Sequence, residues 1–290
     1  MTDLAELAAR YDIRPEQVRE VLGGVANRTY FLGDELFLRI PRTPAFERDL
    51  LKEVAVIPAA RAAGVRTPAI VDFDTFQGTP YMVLERIQGT DLVDAPPAPP
   101  AVWQELGSEL ARLHQLQQPP AGVEADDGGG DPRPTVDKLA TEGYLDTGTA
   151  NWLLGWFDRL KAHIPKDQPH VLLHGDLAPQ NLMTHDNRLE ALIDWGDAAW
   201  GPAGMEFAKL RLEDVTATLP TYRRTSRSVG RSTEGLEAAA LWFHLSWGVS
   251  GIPKPPRPNE RHWTAPPVSR LLGVLRFFAA GPPEPWSRLA

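Results

Sequence analysis

Three oxygen-bearing side chains stand at spacings that suit phosphoryl transfer. Asp176 lies in the stretch HGDLAPQN, the amide of Asn181 follows five residues later, and a second carboxylate, Asp194, comes thirteen residues after that. The apolar residues between them indicate a β-hairpin, with the two polar loops flanking it. Phosphoryl transfer needs a group that orients the attacking hydroxyl and a few hard oxygen ligands for magnesium. The spacing therefore predicts a phosphotransferase site.

Each of the three residues also has an ordinary structural interpretation. His-Gly-Asp is a common surface turn, Asn181 is a frequent turn residue, and Asp194 could cap a helix. Their joint order and the strands around them favour the catalytic interpretation over three separate structural ones.

The two motifs resemble the aminoglycoside phosphotransferase family and its relatives among the small-molecule kinases. HGDLAPQN looks like the family's catalytic loop, and IDWGDAAWG looks like its metal-binding segment. The resemblance implies that Asp176 is the catalytic base and that Asn181 and Asp194 bind magnesium. It extends from about Leu22 to Leu245 and is weakest towards the end of the chain.

The resemblance also implies structural roles for two residues near the motifs. His174 stands where the family has a residue that braces the catalytic loop. Glu206 stands where the family usually has an aspartate, and we expect it to anchor the same loop. His114, at the end of a helical stretch, is interpreted as a core or helix-end histidine.

A glycine-containing segment, GGVAN at residues 23–27, precedes the first strands and is a candidate phosphate site. Glycine lets backbone amides approach phosphates closely, so Gly24 could bind them, and Asn27 could add a donor. The alternative is an ordinary turn. The sequence contains no Walker pattern, which argues against a P-loop fold.

Arg39 stands where the kinase fold usually carries a phosphate-binding lysine. Arginine can also pair with phosphate, through its planar fork of N–H groups. The alternative is an exposed strand arginine. Glu53, in the helix that follows, is the predicted ion-pair partner of Arg39, with Glu47 as its competitor and a solvated helix face as the alternative.

Residues 81–89, YMVLERIQG, resemble the strand and hinge that hold adenine in this fold. The resemblance implies contacts from the Glu85 carbonyl and the Ile87 amide, with Leu84 near the back of the pocket. These contacts come from the backbone, so side-chain identity at Glu85 does not test them.

The pattern of elements predicts an α+β, bilobal, protein-kinase-like fold. Residues 1–88 are expected to form a nucleotide-binding lobe with a small antiparallel sheet and one major helix, and residues 89–290 a larger, mostly helical lobe for catalysis and substrate binding. The predicted helices are 3–10, 15–22, 45–63, 103–116, 151–164, 237–248 and 269–279. The predicted strands are 30–32, 36–40, 69–73, 81–84, 171–173 and 189–193, and residues 117–134 are expected to be a long mobile loop.

Composition places the chain among folded globular proteins and excludes several partners. The hydrophobic fraction is 42%, the net charge is −8, and there are no cysteines. The negative charge argues against nucleic acid and anionic membranes as partners. The absence of cysteine rules out disulfides and fits a reducing compartment. With no signal peptide or membrane span in the sequence, we expect a cytoplasmic protein.

The acceptor is expected to be a small molecule. Protein kinases have an activation segment and an Ala-Pro-Glu motif after the metal-binding Asp, and this chain has neither. Residues 90–170 hold 13 acidic and 6 basic side chains, which would attract a cation, whereas residues 206–290 hold 7 acidic and 12 basic ones, which would not. Four tryptophans line an acceptor pocket or belong to the core: Trp242, Trp247, Trp263 and Trp286.

An aminoglycoside, another antibiotic such as a macrolide, and a hydroxylated metabolite all remain open as acceptors. The expected reactants are ATP and Mg²⁺, with GTP as the alternative nucleotide. The rival functions are a nucleotide-binding protein of the same fold with little transferase activity and a protein kinase. The oligomeric state is left open.

Overall fold

The N-terminal part of the structure is an antiparallel sheet of five strands. The computed structural model describes residues 2–22, 26–93, 98–257 and 260–290. The strands of this sheet are β1 (Val18–Val21), β2 (Asn27–Leu32), β3 (Leu36–Pro41), β4 (Ile70–Phe76) and β5 (Thr79–Glu85). They pair in the order β1-β2-β3-β5-β4. The helices of this part are α1 (Thr2–Ala9) and α2 (Glu47–Ala62).

The two faces of this sheet have different neighbours. Side chains alternate along a strand, so Leu38 of β3 packs in a cluster with Leu7 and Ala8 of α1 on one face. Arg39, the next residue, points to the opposite face and contacts α2. The alternation therefore directs Arg39 towards the rest of the protein.

One predicted element of this part is wrong. Residues 15–22 form a short 3-10 turn at Pro15–Gln17 followed by strand β1, and not a helix. β1 runs antiparallel to β2, with Val18 opposite Leu32. Valines three residues apart fit both a helical face and the two ends of a short strand, and hydrogen bonding to β2 decides between these alternatives.

The larger part of the structure is mainly helical. Its helices are α3 (Pro100–Leu113), α4 (Arg133–Thr141), α5 (Thr147–His163), α6 (Ala203–Phe207), α7 (Leu212–Ser228), α8 (Leu236–Gly251) and α9 (Ser269–Ala279). Its strands are β6 (His170–Leu173), β7 (Leu182–His185), β8 (Arg188–Leu192) and β9 (Ala199–Pro202), and β6 pairs with β9 and β7 with β8. The predicted α+β, bilobal architecture is thus confirmed.

A short connection after β5 joins the sheet to the β7–β8 hairpin. Thr90 and Thr184 exchange backbone hydrogen bonds of 3.0 and 2.8 Å. Gly89 has a φ of +127°, and a Cβ there would lie 2.3 Å from the Thr184 carbonyl oxygen. Glycine is therefore needed for this close approach, which seats the hinge directly on the hairpin beside the catalytic loop.

The segment predicted as a long mobile loop, residues 117–134, is held against strand β9. Trp200 donates its backbone N–H to the Glu124 carbonyl (2.9 Å), and Asp126 donates to the Trp200 carbonyl (3.0 Å). The segment lacks regular structure up to residue 132, after which α4 begins. The segment is therefore packed on β9 by hydrogen bonds to a residue that is remote in sequence.

The remaining predicted elements agree with the structure apart from shifted ends and omissions. The four predicted helices of the larger part correspond to α3, α5, α8 and α9, whereas α4, α7, β7 and β9 were not predicted individually. In the described part of the chain, none of the helices combines the length and the apolar character that a bilayer crossing demands.

Candidate active site

Asp176 lies in the loop between β6 and β7, in a backbone shape that depends on glycine. Gly175 has a φ of +84°, and a Cβ there would lie 1.9 Å from the carbonyl oxygen of Asp197. The side-chain amide of Asn181 donates to the Asp176 main-chain carbonyl (2.8 Å) and to Asp176 Oδ2 (3.0 Å). These contacts hold the Asp176 carboxylate in one position.

Glu206 supports the loop from the interior of the larger part. Its side chain is only 1% exposed and accepts hydrogen bonds from the backbone amides of His174 and Gly175. His174 in turn donates from Nε2 to the Ile193 carbonyl (3.0 Å), and its ring lies against Trp195. The loop that carries Asp176 and the loop after β8 are thereby tied together, which fits the bracing and anchoring roles expected of His174 and Glu206.

His114 is a fully buried neighbour of this anchor. Its Nδ1 lies 2.9 Å from the Tyr222 hydroxyl, and its Nε2 lies 3.8 Å from Glu206 Oε2. It belongs to the core at the end of α3, away from the cleft.

The two candidate magnesium ligands stand on adjoining backbone. Ile193 donates its N–H to the Asn181 carbonyl (3.1 Å), which places Asp194 beside Asn181. Asp194 adopts a φ of +66°, and its side chain is 53% exposed. Because the Asn181 amide nitrogen is used by Asp176, its amide oxygen remains the group able to bind a cation. Magnesium needs only a few protein oxygens besides phosphate, so this pair fits the ion.

Arg39 connects the sheet to both α2 and the loop after β8. Its Nη1 lies 2.5 Å from Glu53 Oε2, and its Nη2 lies 2.8 Å from Asp194 Oδ1. Of the two acids considered as partners, Glu53 and not Glu47 makes the contact. Burial raises the pKa of Glu53 to about 7, against the opposing charge of Arg39. The contact with Asp194 was not predicted.

A second cationic side chain of the N-terminal part, that of Lys52, contacts the loop that carries Asp194. Lys52 of α2 donates from Nζ to the Gly196 carbonyl (2.6 Å). Partial burial raises the pKa of Asp197, and the negative charge of Asp176 adds to this effect. Asp176, Asp194 and Asp197 therefore repel one another, and a bound cation would relieve this repulsion. Among the described residues, no three acidic or histidine side chains are grouped so that they could hold a metal ion by themselves.

His262 is a site residue that the sequence analysis missed. Its Nε2 lies 3.4 Å from Asp176 Oδ1, across 86 residues of chain. Burial raises the pKa of Asp176, but the hydrogen bond and charge of His262, with the charges of Lys209 and His174, outweigh it and hold the pKa below its ordinary value. No motif surrounds His262, so no local signal could have identified it.

On the nucleotide side, Gly24 lies outside the described residues, while Asn27 begins β2 and is buried. The strand register puts Asn27 on the same sheet face as Arg39. Within the described ranges, Asn27 Oδ1 has no hydrogen-bond partner. Burying a polar atom without a hydrogen-bond partner costs free energy. The unpartnered Asn27 Oδ1 is therefore available to bind a ligand.

The hinge presents backbone groups as the resemblance implies. Leu84 is buried at the end of β5. Arg86 donates its N–H to the Glu35 carbonyl (2.7 Å), so the backbone groups of Glu85 and Ile87 point to the other side. Among the described residues, no backbone acceptor contacts the Ile87 amide.

The four tryptophans divide into two pairs. Trp286 is buried in the core, and Trp242 packs edge-to-face on Phe157. Trp247 and Trp263 instead lie on either side of Arg270, with its guanidinium carbon 5.2 and 4.8 Å from their rings. Trp247 lines one cavity and Trp263 lines another, and Arg270 lines both.

Comparison with proteins of known sequence gives two relatives, a homoserine kinase and an acyl-CoA dehydrogenase family member. The chain is 27% identical over 208 residues to homoserine kinase of Beijerinckia indica, covering 67% of this chain and 63% of the kinase. It is 26% identical over 302 residues to mouse acyl-CoA dehydrogenase family member 10, covering 94% of this chain and 27% of that protein. The chain thus spans about three fifths and about a quarter of the lengths of these relatives.

Comparison with solved structures shows the same fold. The GDP complex of aminoglycoside 2′-phosphotransferase-IIIa matches with a TM-score of 0.66 and 19% identity, covering 96% of this chain and 97% of that one. Macrolide 2′-phosphotransferase MphH of Brachybacterium faecium matches with a TM-score of 0.59 and 21% identity, covering 87% and 91%. The sequence profile of the phosphotransferase enzyme family matches residues 17–242. That range covers most of the chain and includes the HGDLAPQN and IDWGDAAWG segments, so the chain belongs to the phosphotransferase enzyme family.

Proposed function

We propose that this chain is an ATP- and magnesium-dependent kinase that transfers the γ-phosphoryl group to a hydroxyl of a small molecule. The observation that carries the proposal is the convergence of Asp176, Asn181 and Asp194 at the open end of the β7–β8 hairpin. Asp176 and Asn181 precede β7, and Asp194 follows β8. The nucleotide complexes of similar structures, with GDP and with ATP, support the use of a purine nucleotide. The small molecules bound in similar structures, among them kanamycin and streptomycin, support a small acceptor.

In the proposed reaction Asp176 orients the acceptor hydroxyl and receives its proton. The hydroxyl oxygen forms a bond to the γ-phosphorus while the bond from that phosphorus to the β,γ-bridging oxygen breaks, which releases ADP. The lowered pKa of Asp176 keeps this carboxylate ionised at neutral pH, as a base requires. Catalysis then rests on positioning and on charge neutralisation.

Asn181 and Asp194 would hold magnesium, which when bound neutralises charge on the phosphates. Arg39 would lie beside the phosphates, where its charge is already held in place by the buried Glu53. Gly24 and Asn27 would contact the phosphates from the sheet.

The adenine would bind at the hinge. The Glu85 carbonyl and the Ile87 amide would bind the edge of the base, and Leu84 would pack behind it. We place the nucleotide-binding lobe in residues 1–88 and the catalytic and acceptor-binding lobe in residues 89–290. The dependence on ATP supports a cytoplasmic location.

Replacing Asp176 by Asn tests the assignment of the base. We expect kcat to fall by at least about 100-fold, the lower range of general base catalysis, while the affinity for ATP and magnesium changes little. Asp186→Asn is the matched control, because Asp186 is exposed in the β7–β8 turn at a φ of +47°, which Asn tolerates. Retention of turnover by Asp176→Asn would show that another group is the base.

Replacing Asp194 by Ala tests the metal site and separates the rival functions. Calorimetric titration with ATP should show that magnesium no longer strengthens binding to the variant. Unchanged magnesium-dependent binding would contradict the assignment. In the wild-type protein, slow ATP hydrolysis that no hydroxyl compound stimulates would favour a nucleotide-binding protein, and labelling of a generic protein substrate would favour a protein kinase.

A further inference from the structure

A cavity of about 460 Å³ lies in the larger part of the structure. Its walls are the 126–129 segment, the end of α8, and residues from the stretches 254–257 and 264–267. Trp247 fixes the first wall, because its indole Nε1 donates to the Gly128 carbonyl (2.9 Å). The volume is within the range of about 300–1,000 Å³ typical of small-molecule sites.

Two lining residues connect this cavity to Asp176. Thr264 lies 2.6 Å through its hydroxyl from His262 Nδ1, and the other ring nitrogen of His262 faces Asp176. Lys209 also lines the cavity, and its charge helps to lower the pKa of Asp176. The ring of His262 therefore lies between the cavity lining and the proposed base.

The charge of the lining is predominantly positive. Four cationic residues line the cavity, Lys209, Lys254, Arg257 and Arg270, against the single carboxylate of Asp126. Arg257 is neutralised by Glu260 at 2.7 Å. In the parts of the chain that the structure describes, the other three cations have no carboxylate within ion-pair distance. The lining therefore has a net positive charge, and of its cations Lys209 also interacts at longer range with the carboxylates of Asp176 and Asp197.

Arg270 gives the strongest indication of an anionic ligand, because it is the buried one of these cations. It is 7% exposed, donates to the Ala208 carbonyl, and lies between the rings of Trp247 and Trp263. Burial lowers the pKa of Arg270 to about 9, which still leaves it charged at neutral pH. It is also the second residue of α9, where the helix dipole disfavours a cation. Buried charges in proteins are normally paired, and among the described residues no carboxylate forms an ion pair with Arg270.

We propose that this cavity binds the acceptor and that the acceptor is an anion: a hydroxy compound that carries a carboxylate or a phosphate ester, paired with Lys209 and Arg270. The inference rests on the proposed kinase function, whose reaction it leaves unchanged. A polycationic aminoglycoside would place its ammonium groups against three unpaired cations and is disfavoured by like-charge repulsion.

The test is a magnesium–ATP kinase screen built from matched acceptors. One arm compares hydroxy acids with their neutral primary amides, a second compares sugar phosphates with the parent sugars, and a third uses kanamycin. We expect kcat/KM at least tenfold higher for the charged member of the preferred pair, and the arm in which this occurs distinguishes carboxylate from phosphate. Phosphorylation of neutral compounds or kanamycin in preference to the acids and phosphates overturns the inference but leaves the kinase function standing. Phosphorylation of no compound in any arm overturns both.

Two variants locate the binding of the anion. Lys209→Met should raise KM for the anionic acceptor at least tenfold more than KM for the neutral analogue, and should leave KM for ATP within about twofold. Lys254→Gln, at an exposed position that carries little risk to folding, should give a smaller increase in the same KM. Lys166→Met, an exposed lysine outside the cavity lining, is the control. An equal rise in KM for anionic and neutral acceptors in Lys209→Met would show that Lys209 does not pair with an acceptor anion and would overturn the inference.

Discussion

Replacing Gly175 by Ala should separate the catalytic loop from the metal-binding loop. The added Cβ would lie 1.9 Å from the Asp197 carbonyl oxygen, whereas such atoms normally keep at least 3.0 Å apart. The two loops must therefore move apart by about 1 Å, and a displacement of that size at a reacting centre reduces rate by about 100-fold. The left-handed backbone adds about 1–2 kcal/mol of destabilisation, and the overpacking adds about 1–3 kcal/mol.

Gly230→Ala is the matched control for this substitution. Gly230 has a φ of +76°, close to that of Gly175, but nothing lies within 4 Å of its Cβ position. It should lose only the backbone contribution of about 1–2 kcal/mol and keep its activity. Urea unfolding gives the two stabilities, and steady-state kinetics with magnesium–ATP and an accepted hydroxyl compound gives kcat. If Gly175→Ala turns over as fast as Gly230→Ala, the close contact with Asp197 does not position the base.

Three further outcomes follow from buried contacts and from one pKa. Arg39→Met should destabilise the protein by about 3–5 kcal/mol by leaving Glu53 buried without its cation, and adding Glu53→Leu should restore most of this in urea unfolding; an equally unstable double variant would refute the pairing. Glu206→Gln should cost about 1–3 kcal/mol and lower kcat, and unchanged unfolding would show that the loop is anchored elsewhere. His262→Ala removes a group that lowers the pKa of Asp176, so that pKa rises and the acid limb of the kcat/KM profile moves to higher pH; an unmoved limb would contradict the contact.

The catalytic loop could be predicted because its geometry is local. Asp176 and Asn181 are five residues apart on one loop and touch directly, and a single hairpin brings Asp194 back to them. The pairing of Arg39 with Glu53 is likewise a short-range consequence of strand alternation and the helix that follows. Distances between residues that are close in sequence are set by backbone dimensions, so the sequence pattern is enough to predict them.

The errors arose where hydrogen bonding to remote strands decides the outcome. The segment at residues 15–22 has apolar spacing compatible with two structures, and its pairing with β2 selects the strand. The segment at residues 117–134 has the composition of a mobile loop, yet its backbone is fixed by β9, more than 60 residues later in the chain. Composition does not encode the partner that supplies these bonds.

The sequence alone determined the fold class, the residues of the catalytic loop, and the kind of reaction they suit, because these depend on periodicity and on chemistry within short stretches. Only the tertiary structure joined Arg39 to Asp194, brought His262 to Asp176, and buried Arg270 where none of the described carboxylates pairs with it. These contacts link residues from distant parts of the chain, and their existence depends on how helices and sheet pack around a common core. The three candidate catalytic and metal-binding residues are close together in sequence. The positive charge that we propose selects the acceptor depends instead on tertiary packing.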